Sequence, residues 1–207
     1  MKIVNVIQES FLEYEDFISL VLFCYGCNMR CSYCYNYSHI TDRTKIMKGS
    51  ITSIIDRNMT SMTDSLVFLG GEPTIYGNQL FKISKHVKST YGLSVKLFTN
   101  GTNPQLVIDG MTLNYFDFVS IDFKSYFPSS VIQYKNNWNE YLWGMDSFFN
   151  DVVKNGFSNR IEVRMTVVPE IQQDSILIKS LCDDSGIKFV LQEDVSSSYK
   201  EINLLNF

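Results

Sequence analysis

Short runs of β-branched and aromatic residues alternate along this chain with longer stretches in which apolar side chains recur every three or four positions. The first kind of run, bounded by turn-forming residues, marks a buried strand, and the second marks an amphipathic helix. Strands are predicted near Ser19–Cys24, Ser65–Leu69, Ser94–Thr99, Phe116–Phe123, Arg160–Val168 and Lys188–Gln192. Helices are predicted between them, near Ser50–Met62, Gly77–Tyr91, Pro104–Met111, Asn139–Lys154 and Gln173–Ser185. Gly92, Gly156 and Gly186 fall just past helix ends, where a left-handed residue closes the last turn.

A repeated strand-then-helix order implies an α/β fold with a parallel sheet that is covered on both faces or curls into a barrel. Functional groups are then expected at the C-terminal ends of the strands. No low-complexity linker interrupts the pattern, so residues 1–207 read as one domain. At 207 residues, 45% hydrophobic and 19% charged, the chain can build one sizeable core. A net charge of −4 without a Lys/Arg run argues against a nucleic-acid partner. The first residues lack the apolar centre of a signal peptide, and no run approaches the ~20 apolar residues of a membrane span. A cytoplasmic protein without membrane attachment is expected.

The chemistry-bearing residues sit where that fold would gather them. Cys27, Cys31 and Cys34 follow the first strand, in Gly26-Cys27-Asn28-Met29-Arg30-Cys31-Ser32-Tyr33-Cys34. Gly70-Gly71-Glu72-Pro73 follows the second strand and Thr99-Asn100-Gly101 the third, Asp122 and Lys124 end the fourth, and Arg164 lies in the fifth. Clustered thiols in a reducing compartment more often bind metal than form disulfides. Three thiolates on a four-iron cluster would leave one iron open to a ligand, whereas four would close it for electron transfer. Two other readings use the same residues. A zinc site could add Cys24 or His39, although structural zinc usually joins two separated ligand pairs. Alternatively, Cys24 could complete a closed, ferredoxin-like cluster. Cys24 also ends the apolar run Ser19-Leu20-Val21-Leu22-Phe23-Cys24, where a cysteine serves as a small hydrophobe, and Cys182 reads as core as well. Glycines at 70 and 71 would let backbone approach a ligand closely. Asp122 and Lys124, two apart on a strand end, would face the same way.

The spacing C-x3-C-x2-C with an aromatic before the last cysteine, together with Gly70-Gly71-Glu72-Pro73, resembles the radical S-adenosylmethionine (SAM) superfamily. That resemblance implies an open, partial (β/α)6 barrel and a [4Fe–4S] cluster on Cys27, Cys31 and Cys34. The open iron would chelate S-adenosyl-L-methionine, whose one-electron cleavage gives a 5′-deoxyadenosyl radical. It further implies that Gly70, Gly71, Glu72, Thr99 and Asn100 line the cofactor, and that Asp122 and Lys124 lie beside its methionine group. Arg164 would place its charge near it, and Tyr33 would pack on adenine. Beyond the sixth strand, Glu193 and Asp194 could reach the ribose hydroxyls. No general acid or base is required, so no side chain is assigned as catalytic, and His39 and His86 receive no role.

Further segments resemble one branch of the superfamily, the activating proteins of anaerobic ribonucleoside-triphosphate reductase and their pyruvate formate-lyase relatives. These are Leu22–Cys31, Gly70–Thr74, Thr99–Pro104, Asp117–Lys124, Thr166–Glu170 and Val190–Gln192. The resemblance implies hydrogen abstraction from a glycine of a partner glycyl-radical enzyme, with the large subunit of anaerobic ribonucleotide reductase as the expected partner and a flavodoxin-like protein as electron donor. The alternative is a small-molecule radical enzyme, such as a 7-carboxy-7-deazaguanine synthase. One departure stands out: many activases carry an aspartate before Thr-Asn-Gly that helps hold a monovalent cation, and this chain has Phe98. Tyr126, Phe127, Trp138, Tyr141 and Trp143 could dock a partner but fit a core equally well.

Overall fold

The structure is a computed structural model and describes residues 1–193. Nine strands run in chain order through the described residues: β1 (Ile3–Ser10), β2 (Ser19–Cys24), β3 (Met29–Cys31), β4 (Ser65–Gly70), β5 (Ser94–Thr99), β6 (Phe118–Asp122), β7 (Ile132–Tyr134), β8 (Ile161–Val167) and β9 (Lys188–Glu193). The helices are α1 (Tyr37–Thr41), α2 (Ile51–Asn58), α3 (Asn78–Tyr91), α4 (Pro104–Thr112), α5 (Trp138–Lys154) and α6 (Asp174–Asp184). All six expected strands and all five expected helices are present, with ends moved by a few residues. Gly92, Gly156 and Gly186 have φ of 69°, 69° and 63°, as their positions past helix ends anticipate.

Seven strands hydrogen-bond in the order β1-β2-β4-β5-β6-β8-β9, so the sheet is open, with β1 and β9 at its edges. The pairings β2/β4, β4/β5 and β8/β9 are parallel, which confirms the α/β class. Three strands were not anticipated: β1, β3 and β7. β1 lies antiparallel to β2, and several of its outward side chains, including Asn5, Gln8 and Glu9, are exposed. Its polar half breaks the continuous apolar run of a doubly covered strand. β3 and β7 form a separate two-stranded antiparallel ladder, each strand too short to show a period.

The chain divides into two compact units. The first comprises Met1–Cys27, Asn36–Thr99 and Asp109–Val119. Its core is built on Leu20, Leu22, Leu66, Phe68, Val95 and Leu97, all fully buried, under Ile54 and Ile55 of α2 and Leu80 and Val87 of α3. Ser50 caps α2 by accepting the Ser53 N–H. Among the described residues, the second unit comprises Asn28–Tyr35, Asn100–Ile108 and 120–193. Here Tyr141, Met145, Phe148, Phe149 and Val152 of α5 and Ile178 and Cys182 of α6 are buried, as are Val163 and Met165 of β8. β6 belongs to the first unit by its first two residues and to the second by the rest.

Candidate functional site

In the first unit, the Gly-Gly-Glu-Pro turn leaves the end of β4 and lies against the end of β2. The Gly71 amide donates to the Cys24 carbonyl and the Glu72 amide to the Gly26 carbonyl, each at 2.9 Å. A side chain cannot fit there. A Cβ on Gly71 would sit 1.9 Å from the Gly26 oxygen, and one on Gly70, where φ is 102°, would sit 2.8 Å from the Cys24 nitrogen. With the amides of residues 71 and 72 donated to Cys24 and Gly26, and the Gly70 carbonyl accepting from Asn36 Nδ2 at 3.3 Å, what the turn has left to offer a ligand is carbonyl lone pairs, which suit a donor such as an ammonium.

Glu72 is fully buried. Its Oε1 accepts from the Thr74 amide (3.0 Å), the Thr74 hydroxyl (2.6 Å) and the Thr99 hydroxyl (2.7 Å). A carboxylate out of water needs such donors. They tie the turn after β4 to the last residue of β5, so Glu72 and Thr99 meet as a structural pair. Cys24 is buried nearby, and desolvation, reinforced by the charge of Glu72, pushes its thiol far above the ordinary range. In that environment the thiol packs as a small apolar group at the end of β2. Cys27, half-buried, ends this unit's first segment.

Phe98 also has a definite environment in this unit. The Lys96 ammonium lies 4.7 Å from its ring centroid, 4.9 Å from that of Phe118 and 5.5 Å from that of Tyr14. Where an aspartate would attract a free cation, the chain supplies a tethered one over an aromatic face. His39 lies on α1 and His86 on α3, where Nδ1 pairs with the Thr90 hydroxyl at 3.2 Å.

The second unit carries the remainder of the cysteine loop. Cys31 and Tyr33 are buried and Cys34 is half-buried. β3 aligns Met29 with Tyr134, Arg30 with Gln133 and Cys31 with Ile132, and the Ser32 amide donates to the Val131 carbonyl at 2.9 Å. The segment after β6 is therefore a backbone partner of the loop. That segment is anchored by buried Asp174, whose Oδ2 accepts from the Ser125 hydroxyl and from the Tyr126 amide at 2.8 Å.

Lys124 is ion-paired with Asp122 Oδ2, and its ammonium lies 5.8 Å from the Tyr33 ring centroid. Burial works to lower the lysine, but Asp122, Cys31 and Tyr33 outweigh it and hold the ammonium well above the ordinary lysine range. Burial, with the charge of Cys31, raises the Tyr33 phenol. The other Asp122 oxygen, Oδ1, is buried and finds no partner among the described residues. An orphaned carboxylate oxygen beside a fixed cation is suited to a ligand that brings its own donor.

Arg164 lies in β8 with its guanidinium 3.8 Å from Glu162. Glu162 also accepts from the Ser120 hydroxyl at 2.6 Å and lies 3.9 Å from the Lys188 ammonium. Asn100 has its side-chain amide committed to Asn28 and Thr102, a contact that sequence reasoning missed. Glu193 ends β9, and Asp194 lies outside the described residues. Tyr141 is core, whereas Trp143 and Phe127 are exposed. Among the described residues, no three His, Cys, Asp or Glu side chains gather around a point that would hold a single metal ion. No described helix is long and apolar enough to cross a membrane.

Taken one unit at a time, the residue types suit the group the sequence implies: cysteines closely spaced in the sequence, a turn whose glycines exclude side chains, and a buried carboxylate oxygen beside a lysine. Comparison with known proteins agrees. Residues 21–177 match the model of the radical SAM superfamily. A Methanocaldococcus jannaschii protein, whose name assigns it provisionally to the glycyl-radical enzyme activating enzymes, is 26% identical over 201 residues, covering 95% of this chain and 82% of its own length. The solved structure of polyhistidine-tagged anSMEcpe with bound AdoMet superposes on 89% of this chain with a TM-score of 0.57 at 18% identity, a likeness of fold. This chain spans about half, 52%, of that protein. The family match takes in both the cysteine loop and the Gly-Gly-Glu-Pro turn, and it agrees with the open α/β sheet: this chain belongs to the radical SAM superfamily, enzymes that work with a [4Fe–4S] cluster and S-adenosylmethionine.

Proposed function

We propose that the protein is a glycyl-radical activating enzyme in which Cys27, Cys31 and Cys34 hold the [4Fe–4S] cluster. The observation that carries this reading is the 26% identity, sustained over 95% of the chain, to a relative named for that activity. When bound, the cluster and S-adenosylmethionine supply a carbon radical able to take a hydrogen atom. The protein's own residues bind and position. Carbonyls at Gly70 and Gly71 accept from the methionyl ammonium, and Glu72 with Thr99 keeps that turn in place. Asp122 Oδ1 accepts a donor of the cofactor, Lys124 pairs with its carboxylate, and Arg164 adds positive charge. Tyr33, held under Lys124, offers an apolar face to adenine. Asn100 lines the cofactor, and its side-chain amide also braces the cysteine loop through Asn28. Holding the reacting carbon close to its target and away from water is the main catalytic contribution.

The hydrogen donor is a backbone glycine of a partner enzyme, with anaerobic ribonucleotide reductase favoured and a flavodoxin-like protein as one-electron donor. A glycine radical is delocalised over the flanking peptide groups, and glycine has no side chain to block approach. The test is anaerobic. Protein reconstituted with iron and sulfide, then given S-adenosylmethionine and a strong reductant, should form 5′-deoxyadenosine, and the Cys27/Cys31/Cys34 triple alanine variant should not. Added ribonucleotide reductase large subunit should then acquire a doublet glycyl radical signal. Deoxyadenosine without that doublet, across a set of glycyl-radical enzymes, would refute the activase reading.

A further inference from the structure

Asn28 stands between two proposed cluster ligands, one residue after Cys27 and three before Cys31. Its carboxamide closes a ring of hydrogen bonds with the turn after β5. Asn28 Nδ2 donates to the Thr102 hydroxyl at 2.8 Å, and Asn28 Oδ1 accepts from Asn100 Nδ2 at 3.0 Å. Asn100 Oδ1 in turn accepts from the Thr102 hydroxyl at 2.7 Å and from the Thr102 amide at 3.1 Å. Both ends of the Asn28 amide are thus used, and Asn100 is buried. The Asn28 carbonyl meets the Lys135 amide at 3.5 Å, and the next residue, Met29, opens the ladder with β7. Three segments distant in sequence, the cysteine loop, the Thr-Asn-Gly turn and the chain around β7, therefore converge on one side chain and its backbone.

We infer that Asn28 is a positioning residue for the cluster: its amide ring with Asn100 and Thr102 sets the path of the backbone between Cys27 and Cys31. A loop of this kind has no helix or long strand of its own to hold it. Cysteines on a free loop would still capture iron but would spread over many geometries. A side-chain amide with a matched donor and acceptor pair selects one of them, and removing such supporting partners typically weakens metal binding about 10–100-fold. Asn28 touches neither cluster nor cofactor in this account. The inference rests on the assignment of Cys27, Cys31 and Cys34 as cluster ligands.

The experiment compares wild type with Asn28→Ala and Thr102→Val after anaerobic reconstitution. It reads the rate of iron release to a chelator and the EPR spectrum of the reduced cluster with and without S-adenosylmethionine. Both variants should release iron about 10-fold faster and show a broadened spectrum whose response to S-adenosylmethionine is altered. The double variant should be no worse than Asn28→Ala alone, because the two share a ring. Thr102→Val removes a single hydroxyl, so it decides the matter should Asn28→Ala fail to fold. Release within about two-fold of wild type and an unchanged spectrum would overturn the inference while leaving the cluster assignment intact. A triple cysteine variant that still assembled the cluster would overturn both.

Discussion

The Gly-Gly-Glu-Pro turn and the cysteine loop are both irregular, and both carry the residues that mark the family, yet they are held by opposite means. The turn is held by what it lacks: without Cβ atoms at 70 and 71 its amides reach the carbonyls of Cys24 and Gly26. The loop is held by what it has: an asparagine amide, a short ladder with β7, and a buried Asp174 behind the partner segment. The first should fail when atoms are added and the second when atoms are removed.

The sharpest break in that contrast is Gly71→Ala. Its Cβ would lie 1.9 Å from the Gly26 oxygen, so the variant should lose about 3 kcal/mol or more, or fail to accumulate as folded protein. Gly77→Ala, with nothing within 4 Å but φ of 51°, should cost only about 1–2 kcal/mol. Equal denaturant midpoints for the two would mean that close approach is not what the turn needs.

Next in size is Glu72→Gln, which keeps the shape but replaces a charged acceptor of three hydrogen bonds. A loss of about 2 kcal/mol in urea unfolding is expected. Thr99→Val should account for part of it non-additively, since Thr99 donates to the same oxygen.

Smaller still is Lys124→Met, at about 1 kcal/mol, because Asp122 is 33% exposed and water screens the pair. The sign with pH is definite. Lys124 binds its proton more tightly folded than unfolded, so its contribution is complete below the unfolded lysine value of about 10.4 and fades as pH rises through the higher folded value. Wild type and variant should differ by a constant amount from about pH 6 to 9 and converge only in strong alkali. A difference that already closed by about pH 8 would contradict the arrangement.

The smallest effect concerns the spare thiols. Desolvation, aided by Asp183, pushes Cys182 to about 12, and Cys24 lies higher still. At about pH 8 both thiols therefore stay protonated. In cluster-free protein, both should resist a thiol reagent until the chain is unfolded, as read by peptide mapping.

Much of this was legible in the sequence. The buried parallel strands announced themselves because both faces are covered, so apolar residues run on without a break, as in Leu20–Leu22 and Leu66–Phe68. β1 did not, because its outward side is polar, and β3 and β7 are three residues each. The cysteine spacing and the double glycine were visible because their chemistry is local. The ring of Asn28, Asn100 and Thr102 was not: an amide's partner about seventy residues away leaves no period to read. The cluster of Thr99-Asn100-Gly101-Thr102-Asn103 beside a family motif was the signal available. Glu72 is expected from its motif to line the cofactor, and nothing in that motif says that its partners within the fold are the hydroxyls of Thr74 and Thr99.

The register that sets Cys31 opposite Ile132 also bears on the life of the chain before it is folded. A ribosome adding ~5–20 residues per second completes the cysteine loop several seconds or more before it makes the strand that pairs with it. During that interval Cys31 and Cys34 have no ladder beside them, and exposed thiols are open to oxidation. Iron delivered then would meet an unshaped loop. Pairing of the cysteine loop with its ladder partner is therefore a late event in the synthesis of this chain, set by a three-residue strand about a hundred positions downstream.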